Sequence, residues 1–194
     1  MIFQLFATRP TDSNIDALYG TIVAQARLPG FYLAYGVPDT VEGRFDLIVL
    51  HMVLLFRRLG REAEAGHALV QGIFDRFCRD MDHNLREMGV GDLAVPKEMR
   101  RLGEAFYGRA GVYERAIAGV DGNGRQSLAS ALARNIFADG SSSSEAARLA
   151  TYVNEAVRQL DAVEGATIAC GRLSFPDPNT VPAEGYADQD HDRE

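Results

Sequence analysis

Tryptophan is absent, lysine occurs once, at Lys97, and cysteine occurs only at Cys78 and Cys170. Two cysteines so far apart, in no metal-like spacing, exclude a disulfide framework and a zinc module, and they fit a reducing, cytoplasmic compartment. Long apolar runs are also missing. The most hydrophobic stretch, Leu47 to Phe56, is interrupted by His51 and falls short of the roughly 20 residues that cross a bilayer. The N-terminus has no basic start followed by a long apolar run, so no signal peptide is expected. Basic charge is in deficit. Twenty Lys and Arg stand against 27 Asp and Glu, for a net charge of −7, which argues against nucleic acid as the main partner.

What is present is a chain of 194 residues, 46% apolar and 24% charged, enough for one domain with a real core. Apolar residues recur at helical spacing along most of it. Asp12 or Ser13 caps a first helix through Ile15, Leu18, Ile22 and Ala26, stopped by Leu28-Pro29-Gly30. The aromatic connector Phe31 to Asp39 follows, in which Phe31, Tyr32 and Tyr35 either cover the core or meet a partner. Asp39 and Glu42 suggest a capping box for a helix from about Val41 to Gly60. That helix is apolar nearly all round, as suits the centre of a bundle. Arg57, Arg58 and Arg61 gather at its C-terminal end, where the helix dipole favours cations.

A third helix begins near Glu64 with a stripe from Leu69 to Met88 and ends at Gly89 or Gly91. Pro96 opens a fourth, in which Gly103, Gly108 and Gly111 suggest close helix approach or a break near Gly108. Two more helices are expected, over 126–138 and after the serines 141–144, and then an extended segment from Ala166 to Phe175. No βαβ alternation appears. The expected fold is all-α: one bundle of about six or seven helices over 11–175. An N-terminal arm, 1–10, packs on the body or touches a membrane through Ile2, Phe3, Leu5 and Phe6. An acidic tail, 176–194, is expected to be disordered.

Few catalytic or cofactor arrangements survive inspection. His83 and Glu87 lie one helical turn apart with Asp80 and Asp82 nearby, but no Glu-x-x-His pair of a di-iron bundle occurs. Cys78 falls on the buried stripe, where a thiol is inert. The pairs Gly89-x-Gly91 and Gly122-x-Gly124 are turns without a preceding strand or a Walker lysine. His51, on the most buried helix, is either a hydrogen-bonded core residue or a ligand in a haem-handling or other small-molecule bundle. The polar face of the third helix carries Asp75, Arg76, Arg79, Asp80, Asp82, His83, Asn84, Arg86 and Glu87. Its acid-before-base pairs at i,i+4 suit a solvated helix or a docking surface for another protein.

The blocks FYLAYGVPDTVEGRFDLIVLHMVLLFRRL and FDRFCRDMDHNLREMGVGDLAVPKEMRRLGEAFYGR resemble the ubiquinol–cytochrome c chaperone family, with the run Asp80 to Asp92 as the most specific part. The resemblance extends over about Ile15 to Phe175. It implies a non-enzymatic helical chaperone without cofactors, in a family whose mitochondrial members bind newly made cytochrome b during complex III assembly. No long N-terminal presequence is visible, so a bacterial member is expected, working in the cytoplasm or at the inner face of the cytoplasmic membrane. On this resemblance the docking reading of the third helix is favoured. The candidate contacts are Asp80, Asp82, His83, Arg86, Glu87 and Asp92, with Tyr35 added from the connector.

Overall fold

A computed structural model of the chain describes residues 11–120, 124–137 and 143–181. The arm carrying Ile2, Phe3, Leu5 and Phe6, and most of the expected tail, lie outside these residues. The described residues form α1 (Asp12–Ala26), α2 (Pro29–Leu33), α3 (Val41–Leu59), α4 (Ala63–Glu87), α5 (Val95–Ile117), α6 (Gly124–Ile136), α7 (Ser143–Ala162) and α8 (Gly165–Ala169). The all-α bundle expected from periodicity is therefore present as six long helices and two of five residues each.

α3 is the axis. Every residue from Leu47 to Leu55 is buried, and α1, α4, α5, α6 and α7 all pack on it. Such all-round burial is what an uninterrupted apolar helix requires. α1 and α4 run alongside each other, joined by Asp16–Arg76 at 2.9 Å and by the Tyr19 hydroxyl donating to Asp80 at 2.8 Å. They approach closely at Gly72, where a Cβ would fall 2.4 Å from Ile15 Cδ1. The expected close approaches at Gly103 and Gly108 are not found. α5 is continuous, and a Cβ at either glycine would meet nothing within 4 Å. Gly111 likewise faces only the flexible end of Arg115.

Two helix starts lie one residue from their expected caps. Thr11 and Thr40 accept from the amides of Asn14 and Gly43, which leaves Asp12 and Glu42 in the first turns to complement the dipole. At the other end of α3 the arginines serve α7 as well. Arg58 is buried and donates to the carbonyls of Leu160 (3.1 Å) and Val163 (2.7 Å), filling acceptors that a helix C-terminus leaves open. Arg57 and Arg61 both pair with Asp161.

The segment expected to be extended, 166–175, starts as α8 and only then straightens. From Leu173 to Pro178 it crosses the body as a strap, and the chain is described as far as Val181. The predicted tail boundary at 176 therefore falls inside a segment that packs on the bundle.

Candidate docking surface

The α4–α5 hairpin is built to hold its tip rigid. α4 ends on Gly89, whose φ of +83° is the left-handed conformation that glycine adopts without a Cβ penalty. Gly89 N–H donates to Arg86 O and Val90 N–H to Leu85 O, both at 3.0 Å, which is the paired bonding of a Schellman stop. Pro96 then sits in the first turn of α5. Below the tip the two helices are stapled by aromatics, with Phe106 against Phe74 at 5.1 Å and against Phe77 at 5.8 Å between ring centroids.

At the tip the expected charged residues come together. Arg86 reaches Asp82 at 2.8 Å and also contacts Asp92 across the turn. His83 Nε2 lies 3.1 Å from Glu87. The Arg86 guanidinium hydrogen-bonded to Asp82 holds that carboxyl below its usual range, so both partners stay charged at neutral pH. These pairs are solvent-facing and contribute little to stability. They form an ordered array of both signs.

Two expected members do not belong to that array as free contacts. Asp80 is spent inside the fold: it accepts from the Tyr19 hydroxyl and lies 3.7 Å from Arg76, tying α4 to α1. Tyr35 is only 1% exposed, and its hydroxyl donates to Pro178 O at 2.9 Å. The connector that carries it folds into α2 and turns the ring inward against Phe31 and Tyr152. Tyr35 therefore lies in the core beneath residues 174–178 and is not part of the charged array at the tip.

Sequence reasoning missed the apolar part of the tip. Leu93 is 99% exposed and Met88 58% exposed. Met88 continues the phase of the buried stripe, but the helix stops there and the side chain has no facing helix to enter. A groove beside the tip, between α1 and α4, is lined by Asp12, Asp16, Arg76, Arg79, Asp80 and His83. Arg76 is held there by Asp16 and lies 5.1 Å over the Tyr19 ring.

His51, the candidate ligand of the alternative reading, is fully buried with both ring nitrogens engaged. Nδ1 lies 2.7 Å from Leu47 O and Nε2 2.8 Å from the Tyr152 hydroxyl. A carbonyl only accepts, so Nδ1 carries the proton and Nε2 accepts from Tyr152. Burial pulls this imidazole down to about 4, against the opposing pull of the Leu47 carbonyl. A neutral ring with both nitrogens bonded within the core has no lone pair to give to iron. Around His83, the carboxylates of Asp80 and Asp82 are taken by Tyr19 and Arg86. Among the described residues no three His, Cys, Asp or Glu side chains are grouped to hold a metal.

Comparison with known proteins adds a second kind of observation. The family model described as ubiquinol-cytochrome C chaperone matches residues 33–175. Ubiquinol-cytochrome-c reductase complex assembly factor 1 of Xenopus laevis is 26% identical over 149 residues, covering 76% of this chain and 72% of that protein. The Homo sapiens protein of the same name is 26% identical over 152 residues, covering 76% of this chain and 48% of its own length. The chain thus spans about half the length of the human and mouse relatives. The crystal structure of the Cbp3 homolog from Brucella abortus superimposes with a TM-score of 0.80 at 40% identity, covering 94% of this chain and 100% of that one.

Proposed function

This chain belongs to the ubiquinol–cytochrome c chaperone family, and we propose that it binds newly made cytochrome b and holds it while ubiquinol–cytochrome c reductase is assembled. The named relatives are assembly factors of that reductase, which supports action by binding without a covalent step. The observation that carries the docking site is the hairpin tip. Leu93 and Met88 stand in solvent beside Asp82, His83, Arg86, Glu87 and Asp92 on a turn fixed by the Gly89 stop. Exposed apolar side chains within a polar rim are the composition of a protein-binding patch, and a rigid patch loses little entropy when it docks.

The client is an apolar membrane protein, and the proposed place of work is the inner face of the cytoplasmic membrane. No helix among the described residues is long and apolar enough to cross a membrane, and the contact proposed with that surface is a peripheral one. The segment Ile2, Phe3, Leu5 and Phe6 is the candidate for it.

The test separates folding from docking. A variant with Arg86→Glu and Leu93→Asp keeps Asp80 and its bond to Tyr19, so its helical content and melting temperature are expected to match the parent. In a strain depending on this chain, the yield of assembled reductase, read from its cytochrome spectrum, is expected to fall at least about tenfold, which corresponds to a loss of about 1.4 kcal/mol of binding. Unchanged yield would remove the tip from the docking site.

A further inference from the structure

The strap lies in a groove with unusually regular donors. Gln159 of α7 donates to Ser174 O at 3.1 Å, Gln25 of α1 to Pro176 O at 2.8 Å, and Tyr35 to Pro178 O at 2.9 Å. The three carbonyls fall at every second residue, the repeat of an extended chain. Between the first two, the Phe175 side chain drops inward and meets His51 edge to face, with ring centroids 4.9 Å apart at 87°. Pro176 and Pro178 are buried as well, while Ser174, Asp177 and Asn179 face out. The groove floor is open at Gly30 for the side chains of Pro178 and Asn179. A Cβ on Gly30 would fall 2.8 Å from Asn179 Oδ1 and 3.1 Å from Pro178 Cγ.

We propose that this groove is a peptide-binding site for an extended segment of another protein bearing an aromatic residue followed by proline, and that residues 174–178 occupy it in cis. The donors read backbone carbonyls, which any extended peptide offers. Selection comes from the single aromatic pocket and from the prolines, which favour an extended backbone at little entropic cost. The donor set comes from α1, α2's connector and α7, so a bound segment bridges helices that are distant in sequence. The site is separate from the hairpin tip and does not depend on the identity of the client docked there.

A fluorescent peptide matching residues 171–181 provides the probe. It is expected to bind the full chain carrying Phe175→Ala at least about tenfold more tightly than the parent chain, whose own strap competes. The same peptide with serine in place of its phenylalanine is expected not to bind. Equal binding of the two peptides, or no binding to a variant with native helical content, would overturn the proposal. Hydrogen exchange on the parent chain supplies a measurement that needs no variant. Added peptide is expected to accelerate exchange of the strap amides between Ser174 and Thr180 in a concentration-dependent way. No acceleration at about millimolar peptide would overturn the proposal, as would a parent chain that dimerises by exchanging straps, which would assign the groove to a second copy.

Discussion

Arg109→Ala is expected to lower folding stability by about 2–3 kcal/mol at pH 8 and by clearly less at pH 5. Arg109 Nε lies 2.7 Å from Asp46 Oδ1, at the junction of α3 and α5, and its guanidinium lies 5.7 Å over the Phe45 ring. Asp46 is buried, whereas Arg109 keeps some contact with water. Removing the arginine leaves a buried carboxylate without its cation, the expensive way to break such a pair. Partial exposure of the arginine keeps the cost below that of a fully enclosed one. The pH dependence follows from the acid. Burial pushes Asp46 from 3.8 up to about 6, although Arg109 pulls it down. Its native form thus binds protons more readily than its unfolded form. Its contribution to stability is fully present below about pH 4 and is lost as pH rises through about 6. At pH 5 the variant escapes by protonating Asp46. Chemical denaturation of parent and variant at the two pH values measures the difference, and an equal loss at both would contradict it.

His51→Ala is expected to lower folding stability by about 3–4 kcal/mol. It opens a cavity in the fully buried centre of α3 and deprives the Tyr152 hydroxyl of its acceptor. Its pH signature is opposite to that of Asp46. Burial lowers His51 from 6.5 to about 4, so the native state holds this ring neutral where the unfolded chain protonates it. That contribution is present above pH 6.5 and is lost as pH falls toward about 4. Between those limits the two groups work against each other. Their slopes have opposite signs, each at most about 1.4 kcal/mol per pH unit. Asp46→Asn should therefore expose a loss of stability on acidification from pH 6.5 to 4. Urea melts of parent and variant over that range check this, and a variant whose pH slope equals the parent's would refute the opposition.

Much of this architecture could be read before any coordinates. An apolar run such as Leu47–Leu55 has no polar side to turn to water, so it had to be the axis, and the resemblance of its block carried the family. Features decided by tertiary contact could not be read. Thr11 and Asp12 are both good caps, as are Asp39 and Thr40, and only the path of the incoming chain selects the threonine. Glycine marks close packing when a neighbouring helix arrives, as Ile15 does at Gly72 and nothing does at Gly103 or Gly108. Within the candidate site, i,i+4 spacing was enough to place Asp82, His83, Arg86 and Glu87 on one face. It could not show that Tyr19 claims Asp80 or that α2 turns Tyr35 inward. Leu93 was silent for the converse reason: an apolar residue in a turn is usually folded back onto the body, and only the projecting geometry of this hairpin leaves it in solvent.

The central claim is that the hairpin tip holds cytochrome b. Photo-crosslinking from Leu93 in living cells addresses it most directly, with a control position at Tyr35, whose side chain is buried. Capture of cytochrome b from Leu93 and not from Tyr35 is the expected result. Repeated capture of unrelated soluble proteins from Leu93, with cytochrome b absent, would contradict the account.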